Sequence, residues 1–307
     1  MLKLKLQTFL NGRVATAMGL GLSRLLPPPI GYPVARLIAD FFASRRSSPV
    51  VQAVRANQWV VQNEQIDGAR LDSLVRETFR SSARSMYEFW HYFKDPDAVL
   101  RMVELDPSME RFVEEARQEK TGSLLVAPHV SAFDLVGRAL ALRGLKMHIL
   151  SYPQPPGGYK WQNHLREIPG VLITPMSIHA LRRASETLRK GWTVVTGVDR
   201  PLPTGDDAKY RARFFGRPAA MPVFYTRLAL KTNLPVTVAG VCRKTDGRYR
   251  VWASEPIHLR RSGDLMEETV ENTETILKAV ADVIRRAPEQ WVMFYPVWPE
   301  VVNQLPA

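Results

Sequence analysis

The chain has 307 residues, 45% of them hydrophobic, which allows one large α/β domain or two small ones with a packed core. It carries 42 lysine and arginine residues against 30 acidic ones, and the net charge of +12 favours anionic partners such as phospholipid headgroups or an acidic carrier protein over nucleic acid, for which no motif is found. Cys242 is the only cysteine, which excludes an intrachain disulfide, and the six histidines lack the spacing of metal ligands.

The first predicted element is a basic amphipathic segment from Met1 to about Leu26, ended by Pro27-Pro28-Pro29. Such a segment can lie in the headgroup region of a membrane, or equally pack as an ordinary helix on the rest of the domain. No uncharged run reaches the ~18 residues of a spanning helix. The start also lacks the compact apolar core and cleavage site of a signal peptide.

Three further helices are predicted before a pattern of alternating strands and helices begins at Val103. They cover Val34–Ala43, Val50–Gln62 and Ala69–Lys94. The alternation predicts an α/β fold with a mostly parallel central sheet flanked by helices. We therefore treat residues 1–100 as an N-terminal helical, membrane-associating region and residues 101–307 as the α/β core. The absence of a linker or repeat favours one structural domain overall.

The apolar run Ser123–Ala127 has the pattern of a buried strand, which Pro128 ends. His129 therefore follows the carboxyl end of a strand, where ligands bind in open α/β sheets. Asp134 falls in the first turn of the next predicted helix, and a strand–turn–helix bend could let it hold one imidazole nitrogen while the other takes a proton. Ser131-x-x-Asp134 is alternatively a capping box, in which Asp134 only satisfies backbone donors.

Other polar residues are predicted near the same edge of the sheet. Asp199 and Arg200 follow the strand Trp192–Val198, and Asn163-x-x-Arg166 lies in a helix around Tyr159–Glu167. Two loops rich in helix breakers are candidates to cover the site, Pro153–Gly158 and Leu202–Arg213. The second loop and its surroundings supply four more cations, each of which could equally face solvent: Lys209, Arg211, Arg213 and Arg217.

His129-x-x-x-x-Asp134 after a buried strand resembles the first motif of the glycerolipid acyltransferase superfamily. Later stretches resemble the lipid A biosynthesis (lauroyl/myristoyl) acyltransferases and the related phosphatidylinositol mannoside acyltransferases: Phe214–Ala219, Leu234-Pro235-Val236 and Ala287–Trp291. Two positions depart from the lipid A enzymes. Met176-Ser177 stands where some have an arginine, and Tyr295–Trp298 replaces a basic ending and looks more like the mannoside branch.

The resemblance implies an enzyme that moves a fatty acyl group from an acyl-carrier protein or coenzyme A thioester to a hydroxyl of a membrane glycolipid, of lipid A or phosphatidylinositol mannoside type. It implies no cofactor, and a peripheral place on the cytoplasmic face of the inner membrane. His129 would be the general base, with Asp134 orienting it and Asp199 supporting the pair. The residues expected to bind substrate are Asn163, Arg166, Arg200 and Arg213.

The sequence leaves three other functions open: a lysophospholipid acyltransferase, a thioesterase using the same base on water, and a non-catalytic membrane-binding protein of the same fold. A serine hydrolase is not supported, because the sequence has no Gly-x-Ser-x-Gly motif.

Overall fold

The computed structural model describes residues 23, 25–118, 121–153, 163, 166–202 and 210–306. Within the described residues, four helices precede the sheet: α1 Pro28–Ala43, α2 Pro49–Val61, α3 Gly68–Tyr92 and α4 Pro96–Met102. The second predicted helix, α1, begins at Pro28 rather than at Val34. Proline is favoured in a first helical turn, where its missing N–H has no intrahelical role and its fixed φ suits the helix. The predicted segment before it lies almost wholly outside the described residues.

Polar contacts join the N-terminal helices to one another and to the sheet. Arg80 of α3 donates to the carboxylate of Asp40 in α1, with an Nε–Oδ1 distance of 2.6 Å. Glu88, also in α3, is fully buried and accepts a hydrogen bond from the hydroxyl of Tyr249 in the sheet. Burial without such partners would be costly for a carboxylate, so these contacts determine where α3 rests.

A seven-stranded sheet forms the centre of the molecule. Its strands in spatial order are β1 Val103–Leu105, β9 Tyr249–Ala253, β8 Val236–Arg243, β2 Ser123–Ala127, β5 Thr193–Gly197, β3 Met147–Ser151 and β4 Val171–Pro175. All neighbours are parallel except β8 and β9. The predicted fold class, an α/β fold with a mostly parallel central sheet, is confirmed.

The register between β2 and β5 positions the site. Ala127, the last residue of β2, pairs with Gly197, the last residue of β5. Each strand therefore leaves the sheet at the same level, and His129 and Asp199 each follow two residues later. Because the carboxyl ends of parallel strands share one edge of the sheet, these two residues leave the sheet side by side.

In the described part of the core, five further helices accompany the sheet, together with a short hairpin and two 3₁₀ turns. They are α5 Pro107–Gln118, α6 Phe133–Leu142, α7 Ile178–Arg189, α8 Phe224–Thr232, α9 Leu265–Arg286, the strands β6 Arg213–Phe214 and β7 Arg217–Pro218, and the turns Pro288–Gln290 and Pro299–Gln304. Over the described ranges, none of the helices has the length and apolar character needed to cross a membrane. The proposed boundary near residue 100 stays a prediction.

Candidate active site

The loop after β2 is held by the segment that precedes the last 3₁₀ turn. The backbone N–H of Val292 donates to the carbonyl of His129 (2.9 Å), and the N–H of Ser131 donates to the carbonyl of Gln290 (2.8 Å). Ala132 then takes a left-handed conformation, with φ of 64°, and is the N-cap of α6. The loop therefore presents His129 in one orientation.

A buried carboxylate holds the imidazole of His129. The Nδ1 atom of His129 lies 2.6 Å from Oδ1 of Asp199. The other oxygen of Asp199 accepts the backbone N–H of His129 (2.8 Å) and the indole Nε1–H of Trp291 (2.6 Å). Since the carboxylate occupies Nδ1, the proton acceptor that His129 offers to a ligand is Nε2.

The electrostatics of this pair favour an ionised carboxylate. Asp199 has no exposed surface, and this burial raises its pKa. The charge of His129 and the hydrogen bonds from His129 and Trp291 lower the pKa by more, so the net shift is downward. A carboxylate that accepts several hydrogen bonds is stabilised in its charged form. Asp199 is therefore suited to stabilise an imidazolium.

The predicted contact between the side chains of His129 and Asp134 is not formed in this structure. Asp134 pairs instead with Arg166, whose Nε lies 2.6 Å from Oδ1. The capping-box alternative is also wrong, because Ala132 rather than Ser131 is the N-cap and no side chain caps the helix. The loop turns the imidazole towards β5, whereas α6 carries Asp134 towards Arg166.

Gly197 makes room for the imidazole. A Cβ atom at this position would lie 2.5 Å from Cε1 of His129 and 3.0 Å from Nε2, closer than real Cβ contacts. Any larger residue would displace the ring from Asp199. Sequence reasoning missed this role, because a glycine at a strand end is common and only the paired strand reveals what it faces.

Asn163 and Arg166 contact each other. The amide oxygen of Asn163 accepts from a terminal nitrogen of Arg166 at 2.8 Å. The guanidinium also lies 5.7 Å from the ring centre of Phe133 and 5.9 Å from that of Phe89. Arg166 is therefore fixed by a carboxylate, an amide and two aromatic rings.

Arg200 and Arg213 have different surroundings. The guanidinium carbon of Arg200 lies 3.6 Å from the ring centre of Tyr152 and 4.0 Å from that of Tyr295, so the cation is stacked between two tyrosines. Arg213 is exposed on the β6–β7 hairpin and donates to the carbonyl of Gly216. It is not among the described residues that line the cavity beside His129, so the structure does not bring it together with the others.

A cavity of about 450 Å³ adjoins His129 and extends across one face of the sheet. This volume is typical of small-molecule sites, which are mostly apolar with a few polar groups. Apolar side chains of six strands and of α6 line it, among them Leu125, Val136, Leu140, Ile149, Val171, Ile173, Val195, Val241 and Val251. The principal polar groups on its wall are His129, Asp134, Arg138, Asn163, Arg166 and Arg200.

Two predicted covering loops fall largely outside the described residues. Of Pro153–Gly158 only Pro153 is described, and it lines the cavity; residues 203–209, including Lys209, are likewise outside. Trp291 was recognised only as part of a family-like stretch. Its contact with Asp199 had no local signal, because the two residues are far apart in the chain.

The catalytic and binding roles of the predicted site residues stay predictions.

The fold and the enzyme class are now defined: the protein is an α/β acyltransferase. The family described as bacterial lipid A biosynthesis acyltransferase matches residues 4–300, and the chain belongs to that family. The resemblance in the sequence is thereby confirmed. A solved structure, the 1-acyl-sn-glycerophosphate (LPA) acyltransferase PlsC from Thermotoga maritima, matches with 15% identity and a TM-score of 0.33, covering 81% of this chain and 97% of that one. No curated relative matches the chain significantly.

Proposed function

We propose that this acyltransferase moves a fatty acyl group from an acyl-carrier protein or coenzyme A thioester to a hydroxyl of a membrane glycolipid, of lipid A or phosphatidylinositol mannoside type. One observation carries the proposal. A histidine held at Nδ1 by a buried carboxylate stands on the wall of an apolar cavity of about 450 Å³. A base and a place for an alkyl chain are the two things that acyl transfer requires.

In the proposed reaction, Nε2 of His129 takes the proton of the acceptor hydroxyl as its oxygen attacks the thioester carbonyl. Asp199 keeps Nδ1 protonated and stabilises the imidazolium that forms. The tetrahedral intermediate then collapses, its carbon–sulfur bond breaks, and the thiolate takes the proton back from His129. The acyl group passes directly from sulfur to oxygen, so no acyl-enzyme is formed.

The acyl chain would occupy the cavity beside the sheet. Apolar side chains form most of its wall, and removing a methylene group from water contributes about 0.8 kcal/mol. Gly137 faces this space from α6, and nothing lies within 4 Å of the position that a Cβ would take there. The side chain at this position should therefore limit the length of chain that fits.

The headgroup of the acceptor would be held by Arg166 and Arg200. Asp134 and Asn163 orient the first, and the two tyrosine rings cover the faces of the second, which directs its N–H groups outward. A planar guanidinium held in this way binds phosphate with a preorganised fork of donors. Arg213 is left out of this proposal because of its place on the hairpin.

We further propose a peripheral position on the anionic, cytoplasmic face of the inner membrane. The outer face of α1 exposes large apolar side chains, including Leu37 (69% exposed) and Phe41 (54%). Arg45 covers the ring of Phe41 from 4.1 Å, so a cation accompanies the apolar surface. Apolar groups combined with cations bind anionic lipid surfaces.

Transfer is tested by incubating the purified full-length protein with a radiolabelled acyl thioester and one of three acceptors: a glycolipid, a lysophospholipid or none. We expect label in the glycolipid with wild type and none with His129→Ala. Label only in the lysophospholipid would replace the glycolipid proposal, and release of free fatty acid without acceptor would indicate a thioesterase.

Membrane binding is tested by sedimentation with vesicles of phosphatidylglycerol and phosphatidylethanolamine, or of phosphatidylcholine alone. We expect binding to the anionic vesicles and weaker binding of Leu37→Gln. Leu265→Gln is the matched control, since Leu265 is 54% exposed at the start of α9. Equal binding of both variants would mean that α1 is not the membrane-facing surface.

A further inference from the structure

We propose that Arg138, on the cavity wall of α6, binds a phosphate group of the bound substrates. Among the described residues its guanidinium has no carboxylate partner, and the one carboxylate on the described cavity wall, that of Asp134, is paired with Arg166. This inference rests on the proposed function, since it names the chemistry of the ligand that enters the same cavity.

The position of Arg138 follows from the helix that carries it. It lies four residues after Asp134, and therefore one turn further along the same side of α6. Both residues line the cavity. A ligand that reaches Arg166, the partner of Asp134, thus comes within one helical turn of Arg138.

Arg138 has no carboxylate partner among the described residues, and its Nε is buried without a hydrogen bond. Several other partly buried arginines in the described part of the chain have side-chain or backbone partners. Arg80 is paired with Asp40 and Arg84 with Glu88, and Arg143 donates to two backbone carbonyls. Arg138 differs from these three arginines in that its guanidinium has no such partner among the described residues.

An unpaired guanidinium in an apolar wall is costly to the fold. Burial lowers the pKa of Arg138, and the only described contact of the guanidinium is the ring of Phe93 at 5.5 Å. An anion that enters the cavity would remove this penalty and gain charge-assisted hydrogen bonds.

The charge balance of the wall favours a phosphate. Arg138, Arg166 and Arg200 bring three positive charges to the cavity, whereas Asp134 is the one carboxylate among its described lining residues and is already paired. Phosphate carries up to two negative charges and accepts a bidentate pair from arginine. It can come from two sources in the proposed reaction: the phosphopantetheine arm of the thioester donor or the acceptor lipid.

The experiment compares Arg138→Gln, Arg138→Lys and the control Arg111→Gln, which removes an exposed arginine of α5. Each is assayed for kcat/KM with acyl-coenzyme A or the phosphate-free acyl-N-acetylcysteamine, and with phosphorylated or dephosphorylated glycolipid. We expect Arg138→Gln to lose at least ~10-fold on phosphate-bearing substrates, Arg138→Lys to lose less, and Arg111→Gln to be unchanged.

The source of the phosphate is identified by the phosphate-free substrate with which Arg138→Gln no longer loses kcat/KM. If the loss disappears with the N-acetylcysteamine donor, Arg138 binds the donor; if it disappears with the dephosphorylated acceptor, Arg138 binds the acceptor. A loss of the same size on every substrate, or no loss at all, overturns the proposal. The melting temperature of Arg138→Gln should equal or exceed that of wild type, and a lower one accompanied by uniform losses would show a structural role.

A binding measurement separates this inference from the proposed function. The melting temperature of each variant is recorded with coenzyme A and with a short-chain phosphatidate, with dioctanoylglycerol as the phosphate-free control. Stabilisation of wild type but not of Arg138→Gln by a phosphate-bearing probe supports the site even if no acyl transfer is found. Acyl transfer by wild type with probe binding independent of Arg138 overturns the site and leaves the proposed function standing.

Discussion

The two carboxylates of the site have opposite surroundings. In the strand-end cluster, formed by His129, Asp199 and Trp291, the carboxylate is buried and both of its oxygens accept hydrogen bonds from within the fold. In the helix-wall cluster, formed by Asp134, Asn163 and Arg166 with Arg138 beside them, the groups line the cavity. The first arrangement orients a base, whereas the second orients cations that a ligand can reach.

This difference shows that closeness in sequence is a poor guide to which acid serves a histidine. Asp134 lies five residues from His129 but belongs to the helix wall. Asp199 lies 70 residues away but leaves the neighbouring strand at the same level. The comparison between the two clusters can be tested by variants that alter one cluster and leave the other intact.

The largest expected effect is that of Asp199→Asn. The amide keeps the shape of the side chain but removes the charge that stabilises the imidazolium and selects the tautomer, so kcat should fall ~10³- to 10⁴-fold with little change in KM. Steady-state kinetics at saturating acceptor measure this. Full turnover by Asp199→Asn would show that the strand-end cluster is not the orienting pair.

Gly197→Ala should disturb the strand-end cluster by contact alone. The added Cβ would meet the ring of His129 at 2.5 Å, so the ring must leave Asp199, and a misplacement of about 1 Å is expected to cost ~100-fold in rate. Gly137→Ala is the matched control, since nothing lies within 4 Å of its added Cβ. The control should retain activity and gain about 0.5–1 kcal/mol in unfolding free energy.

The helix-wall cluster is expected to act as a coupled unit. Asp134→Asn and Arg166→Gln should each impair transfer, and the double variant should be about as impaired as the worse single one, because each residue acts through the other. Asp134→Asn combined with Asp199→Asn should instead multiply the two losses. Additive losses for Asp134 and Arg166 would contradict their assignment to one unit.

Trp291→Phe should weaken the strand-end cluster more mildly, by ~10-fold in kcat, since it removes one hydrogen bond to Asp199. Trp298→Phe is a matched control for packing, because Trp298 is equally buried and its indole nitrogen has no partner within the described residues. It should retain the activity of wild type.

The same pair of variants tests the pKa of Asp199. Because the folded state lowers this pKa, the stability that Asp199 contributes is present above the ordinary carboxyl pKa of about 4 and is lost as the pH falls through the lowered value. Loss of the indole donor raises the pKa in the folded state. The acid-induced fall in melting temperature between pH 6 and 2 should therefore be smaller, and should end at a higher pH, in Trp291→Phe than in Trp298→Phe.

The smallest effect concerns the acyl chain. Gly137→Met should fill part of the cavity and lower kcat/KM several-fold for long acyl thioesters relative to short ones, with the rate on short chains retained. A series of acyl donors of increasing length measures this ratio. An unchanged ratio would mean that the chain lies elsewhere.

The local elements were set by the sequence itself, because helix and strand periods are properties of neighbouring residues. The helix Leu265–Arg286 begins after Asp264, whose carboxylate accepts two backbone N–H groups in the first turn. The buried strand before Pro128 placed His129 at the correct edge of the sheet, and the family resemblance was sufficient to identify an acyltransferase.

What the tertiary structure alone decided is which strands are neighbours. Placing β5 beside β2 in register brings Asp199 rather than Asp134 to His129, makes Gly197 necessary and reverses β9 against β8. The cavity and the unpaired guanidinium of Arg138 on its wall likewise exist only once helix and sheet are packed. Strand order and register depend on contacts between residues far apart in the chain, and no local pattern in one sequence records them.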